Sequence, residues 1–135
     1  MLQYDKQDPE VYGLLGVALM QKGEKGDIDN ALPVFREGLR YTSDRKQQAK
    51  FHSNIGHILL NQRHFDSAEE EFRLALSQDW NNPETHFDLA LAYIASKELI
   101  NAQQSLRNVL QLNPKHKQSR EMLDKIQTAL KSPAA

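Results

Sequence analysis

Two adjoining stretches decide the fold: residues 49–82, AKFHSNIGHILLNQRHFDSAEEEFRLALSQDWNN, and residues 83–116, PETHFDLALAYIASKELINAQQSLRNVLQLNPKH. Each is 34 residues long, and one lies over the other without a gap. His52, Ile55, Gly56, Leu59, Phe65, Ala68, Phe72 and Ala75 stand opposite His86, Leu89, Ala90, Tyr93, Leu99, Ala102, Leu106 and Val109. A fixed period of this length marks stacked helical hairpins, since one hairpin cannot bury its own apolar face and lays it on the next. Small residues at Gly56/Ala90 and Ala68/Ala102 predict close approach of the two helices of one hairpin. Phe65/Leu99 and Phe72/Leu106 are then expected to fill the space between neighbouring hairpins.

Working outward, Tyr12, Leu15, Gly16 and Leu19 repeat the spacing of His52, Ile55, Gly56 and Leu59 at an offset of 40, so a first repeat precedes the other two with six extra residues. Gly16 to Ala31 is 15 residues where Gly56 to Ala68 is 12, which places three of the six in the turn 21–27. The remaining three fall around residues 41–46. Both insertions are expected in loops, where added length costs little. Residues 1–8 read as a polar tail, with Asp8 capping a helix that opens at Pro9. In the second helix of this repeat Ala31, Phe35 and Gly38 hold the inward slots, and Pro33 is expected in or just after the first turn, where its missing donor is tolerated. Helices are expected over 48–61 and 66–77, then over 83–96 and 100–112. Residues 119–131 place Met122, Leu123, Ile126 and Leu130 along one face, as a terminal helix covering the last hairpin requires. Residues 132–135 read as a frayed end.

At these residues the pattern resembles the tetratricopeptide repeat (TPR), whose spacing is W-x2-L-G-x2-Y followed by A, F, A and P. His52 and His86 stand in the tryptophan slot, Ile55 and Leu89 in the leucine slot, Gly56 and Ala90 in the glycine slot. Pro114 closes one repeat as the family expects, and Trp80 takes the proline slot of the other. The resemblance implies an all-α, right-handed solenoid of seven helices in a single domain over 1–135. Its repeats span about 9–48, 49–82 and 83–116, followed by a capping helix over about 117–131.

Composition fits a soluble globular protein of one domain: 39% hydrophobic, 26% charged, net charge −1, and therefore no general attraction to nucleic acid or anionic membrane. There is no cysteine, hence no disulfide framework or thiolate chemistry, which is compatible with any compartment, the cytoplasm being the plain expectation. The apolar run 11–20 follows Asp5, Asp8 and Glu10, where a signal peptide needs positive charge, and it is too short to span a membrane.

Five histidines invite a catalytic or metal reading. His52 and His86 occupy packing slots, however, and His57 lies five residues after His52, a poor chelating pair compared with i, i+4. His64 falls in a turn, and His116 in a basic linker, where a solvated side chain is expected. The run Glu69–Glu70–Glu71 is expected to open its helix as a solvated face favouring the positive helix end. Between Lys115 and Lys131 five basic residues face Glu121 and Asp124, a solubilising surplus. No phosphate-binding glycine loop, H-E-x-x-H or nucleophile elbow occurs. The chain is therefore expected to be no enzyme and to carry neither cofactor nor metal.

The resemblance implies a concave groove lined by the first helix of each repeat. Its outward positions are Glu10, Gly13, Val17 and Met20, then Lys50, Ser53, Asn54, His57, Leu60 and Asn61, then Glu84, Phe87, Asp88, Leu91 and Ile94. Val17, Met20, Leu60, Phe87, Leu91 and Ile94 form an apolar streak, as protein interfaces do. One branch of the family grips the C-terminal carboxylate of heat-shock chaperones with Lys and Asn in the first repeat, Asn in the second, and Lys and Arg in the third. Only Asn54 matches. Gly13 and Val17 replace the first pair, and Glu84 and Asp88 reverse the charge of the last, which excludes that clamp. The expected function is non-catalytic protein binding, an adaptor or scaffold taking a peptide or amphipathic helix in the groove. The alternative is self-assembly into a homo-oligomer through groove or array ends.

Overall fold

The computed structural model describes residues 8–131. The expected tail, apart from Asp8, and the expected frayed end lie outside the described residues. Seven helices follow one another among them: α1 (Pro9–Lys22), α2 (Lys25–Leu39), α3 (Arg45–Asn61), α4 (Phe65–Gln78), α5 (Pro83–Ala95), α6 (Leu99–Leu112) and α7 (Lys117–Lys131). The first six pair as hairpins α1/α2, α3/α4 and α5/α6, each packed on the next, and α7 packs on α6. Among the described residues the architecture is the all-α solenoid the period predicts.

Local chemistry sets the first helix of each hairpin. The Asp8 carboxylate accepts a hydrogen bond from the Glu10 N–H at 3.0 Å, and Pro9 follows it in the first turn. Asp44 accepts from the Lys46 and Gln47 N–H groups, and Asn82 from Thr85, again with a proline next in line. Each hairpin turns at one left-handed residue, Gly23 (φ 77°), Arg63 (φ 68°) and Lys97 (φ 63°), so the turn itself keeps the repeat spacing.

That common turn corrects the placement of the insertions. Between Gly23 and Ala31 the three extra residues become an added helical turn at the start of α2, and the connection is only Gly23 and Glu24. Most of the second insertion likewise becomes helix, because α3 starts at Arg45, three residues ahead of its expected start. Helix is the better solution in both places: each added residue makes another intrahelical hydrogen bond instead of exposing its backbone. The same lengthening leaves Pro33 in the middle of α2, not in its first turn. It is exposed there.

Inside the hairpins the glycines act as expected. A methyl group on Gly16 would stand 2.3 Å from the Phe35 ring, and one on Gly56 would stand 2.6 Å from the Phe72 ring. Phe72 therefore packs over Gly56 within its own hairpin, which corrects its assignment to the space between hairpins. Gly38 serves the junction between repeats, its missing side chain leaving room for the Phe51 ring of the next hairpin and for Tyr12. The continuous core runs from Ala31 and Phe35 through Ile55, Ile58, Phe72, Ala90 and Leu106 to Leu123 and Ile126. α7 packs on α6, whose Leu106 and Val109 are fully buried, while Leu130, expected on its apolar face, is 41% exposed.

Candidate functional site

Helices α1, α3 and α5 lie side by side along one face. α3 touches α5 directly. There the Ser53 and Thr85 hydroxyls hydrogen-bond each other, and His57 Nδ1 faces Asp88 Oδ2 at 3.4 Å. Two hollows open on this face. One, about 600 Å³, lies between α1 and α3 and is lined by Gly13, Leu14, Val17 and Phe51 together with Glu10, Asp44 and Lys46. The other, about 450 Å³, lies between α3 and α5 and is lined by Met20, Ser53, His57, Glu84, Thr85 and Asp88. Lys50 and Asn54 line both hollows and stand between them, and the two together make one trough along this face.

Several expected groove residues meet here: Val17, Met20, Lys50, Asn54, His57, Glu84 and Asp88. Asn61 stands elsewhere, beside a hollow at the α1/α2 and α3/α4 turns. Met20, Leu60, Phe87 and Ile94 are half-buried against the core, and Leu91 is half-buried on α5. The Phe87 ring also packs on the His116 ring, 5.1 Å between centroids. The exposed apolar surface of the trough is thus concentrated at its α1 end, on Val17 and on Leu14. Leu14 was not among the expected groove residues, although it shares the repeat slot of Asn54 and Asp88, which were.

Electrostatics along the trough follow from the same contacts. The hydrogen bond to Asp88 raises the His57 pKa, with the Asp88 charge adding to it and partial burial opposing. This pair ties the walls of two repeats together and offsets part of the acidic charge on α5.

His64 is exposed ahead of α4, and the other three histidines serve packing. His52 hydrogen-bonds Glu71 across the second hairpin. His86, 1% exposed, donates from Nε2 to the Trp80 carbonyl at 2.9 Å and packs edge-on against the Trp80 ring at 4.7 Å. Two departures from the family pattern thereby meet: the histidine in the tryptophan slot holds the tryptophan in the proline slot. Since a carbonyl only accepts, the proton sits on Nε2, and burial lowers the His86 pKa. His116 is not simply solvated, for its Nδ1 accepts from the Ser119 N–H at 3.1 Å and its ring meets Phe87.

Glu69 contradicts its expected role. It is the fifth residue of α4, beyond the first turn, and it is only 4% exposed. Its carboxyl faces Glu98, the Ser96 hydroxyl at 3.4 Å and the Arg73 guanidinium at 3.7 Å. Burial, then the hydrogen bond to Glu98 and its charge, push the Glu69 pKa up to about 7, against the pull of Arg73. Its spacing carried a signal: Glu69, Phe72 and Leu76 share one helix face at i, i+3, i+7.

Among the described residues no group of three or more His, Cys, Asp or Glu side chains is placed to hold a metal ion. No helix among them is long and apolar enough to cross a membrane.

Comparison with known proteins agrees with the fold. The tetratricopeptide repeat family model matches residues 49–81 and 83–116. An uncharacterized protein of Haemophilus influenzae is 28% identical over 116 residues, covering 84% of this chain and 62% of its own. Tetratricopeptide repeat protein 21B of Xenopus laevis is 32% identical over 78% of this chain but only 8% of its own length. The chain thus spans less than two thirds of these relatives. Among solved structures, the first TPR of Spaghetti (RPAP3) bound to the HSP90 peptide SRMEEVD superposes with a TM-score of 0.82 at 22% identity, over 96% of this chain and all of that one. A crystal structure of MamA also reaches 0.82, at 14% identity, over 93% of this chain and 70% of that one. With the repeat period, the hairpins and the family match in agreement, the chain belongs to the tetratricopeptide repeat family.

Proposed function

We propose that the chain is a non-catalytic protein-interaction module that takes a peptide or helix of a partner protein in the trough across α1, α3 and α5. The observation that carries this reading is that the two hollows adjoin at Lys50 and Asn54 along the face of these helices. Similar TPR domains of RPAP3 support it, having been solved with the peptides SRMEEVD and SGPTIEEVD. The acidic C-terminus of such peptides is not the occupant here, because Gly13, Val17, Glu84 and Asp88 line the trough where a carboxylate clamp needs cations. Neither nucleic-acid binding nor membrane insertion belongs to this reading. Asn54→Ala combined with Val17→Asp should abolish partner capture in a pull-down while circular dichroism melts stay near wild type, and Tyr93→Ala, a core control, should lower the melting temperature. Capture that survives the first pair places the binding surface outside the trough.

One observation favours a second reading, self-association through the array ends. Leu14 and Leu15 are 67% and 48% exposed on α1, and Ile100 is 73% exposed near the other end. Sedimentation velocity over a concentration series decides it: a size that grows with concentration in the absence of any partner supports self-association, and a constant monomer rules it out.

A further inference from the structure

The trough is chemically different at its two ends. At the α1 end Leu14, Val17 and the Phe51 ring make an apolar wall, with Leu14 67% and Val17 37% exposed. At the α5 end Glu84 and Asp88 stand one helical turn apart, α5 contains no lysine or arginine, and Lys50 of α3, shared with the other hollow, is the one ammonium group among the described residues that line it. Glu84 is exposed and makes no ion pair among the described residues, while Asp88 is met by His57 alone. Around the whole trough carboxylates outnumber ammonium groups, Glu10, Asp44, Glu84 and Asp88 against Lys46 and Lys50.

We infer, on the reading that this trough is the partner-binding site, that its occupant is an extended protein segment with a lysine or arginine at the α5 end and an apolar side chain at the α1 end. A cation there gives Glu84 a charge-assisted hydrogen-bond partner that it lacks in the free protein, and a guanidinium can engage a carboxylate through two parallel bonds. A carboxylate in its place meets like charge from both acids. The apolar anchor removes Leu14 and Val17 from water. Packed helices lie about 9 Å apart, so α1 and α5 are separated by about 18 Å across α3, a span that an extended chain covers in about five or six residues. The recognised element is therefore an apolar residue and a basic residue at that separation.

The test pans a phage-displayed library of random dodecapeptides on the full chain. Enriched clones are expected to pair Lys or Arg with an apolar residue about five or six positions away. Synthetic peptides of those sequences should lose about tenfold or more in affinity for the Glu84→Lys, Asp88→Lys variant. The single exposed change Glu84→Gln gives the same direction of effect if the double variant folds poorly, and Glu70→Lys on α4, away from the trough, leaves affinity unchanged. Clones that bind without a basic residue, or with acidic residues in its place, overturn this inference and leave the trough reading standing. No enrichment of any sequence overturns both.

Discussion

The two ends of the array are finished differently. At the C-terminal end α7 packs on α6 and buries Leu123 and Ile126, and Leu106 and Val109 of α6 are fully buried. At the N-terminal end α1 has no covering helix among the described residues. Leu15 is 48% exposed there, whereas Ile55 and Leu89, in the same slot of the next two repeats, are 1% and 6% exposed. The repeat therefore specifies where a side chain points, and the neighbouring hairpin determines whether that side chain is buried.

Removing the C-terminal cover should have the largest effect. Truncation ahead of Lys117 exposes Leu106, Val109 and Leu110, and the protein should aggregate and lose its cooperative melt, as read by light scattering and circular dichroism. A truncated monomer with an unchanged melting temperature would mean that α7 does not close the array.

Ile55→Ala should cost about 2–4 kcal/mol, because it leaves a cavity between packed helices. Leu15→Ala should cost about 0.5 kcal/mol or less, since water already reaches that side chain. Chemical denaturation of the two variants measures the difference, and equal costs would break the comparison.

Glu69 sharpens the contrast between the interior of the array and its ends, because it is a titrating group at a junction of two repeats. Its folded-state pKa of about 7 lies above the ordinary 4.5, so the folded chain binds the proton more tightly than the unfolded chain. Its contribution to stability is therefore complete below pH 4.5 and falls as pH rises from there to about 7. Glu69→Gln removes that decline and should stabilise the protein at pH 8 by on the order of 2 kcal/mol relative to wild type, with little difference at pH 4. Taking the difference between the two proteins cancels the His57 and His86 titrations, which move in opposite directions. A wild-type-minus-variant difference that is flat with pH would show that Glu69 is ionised in the fold.

The smallest effect concerns the hairpin turns. The first hairpin has Gly23 at its left-handed residue where the third has Lys97. Lys97→Gly relieves a backbone penalty of about 1–2 kcal/mol and gives part of it back as unfolded-chain entropy. The expected net gain is about 0.5 kcal/mol in a denaturant titration. A loss would show that the Lys97 side chain contributes packing that its exposure hides.

The sequence revealed most where its period constrains size. Gly16 and Gly56 face Phe35 and Phe72 because only a missing side chain admits those rings, and that rule is visible as a small residue recurring in one slot. What it hid falls outside the period. The insertions lengthen helices because nothing in the charged, glycine-containing stretch 23–27 forbids helix once the packed residues that follow hold it. Glu69 sits in an acidic run whose polarity masks its inward spacing, and His86 with Trp80 is a compensating pair visible only in three dimensions. At the trough, the three helices and part of the lining were readable from the repeat frame, but Leu14 was passed over, Asn61 lies elsewhere, and the character of the trough was hidden. Half-burial of Met20, Leu60, Phe87 and Ile94 against the core leaves a trough that is apolar at one end and acidic at the other.

Whether a partner sits on the face of α1, α3 and α5 is tested most directly by position-resolved photo-cross-linking. A benzophenone amino acid placed at Asn54, which lines both hollows, should link to the bound segment, and the same group at Leu74, 42% exposed on α4, should not. Linking at Leu74 with none at Asn54, in variants that both remain folded, would contradict it.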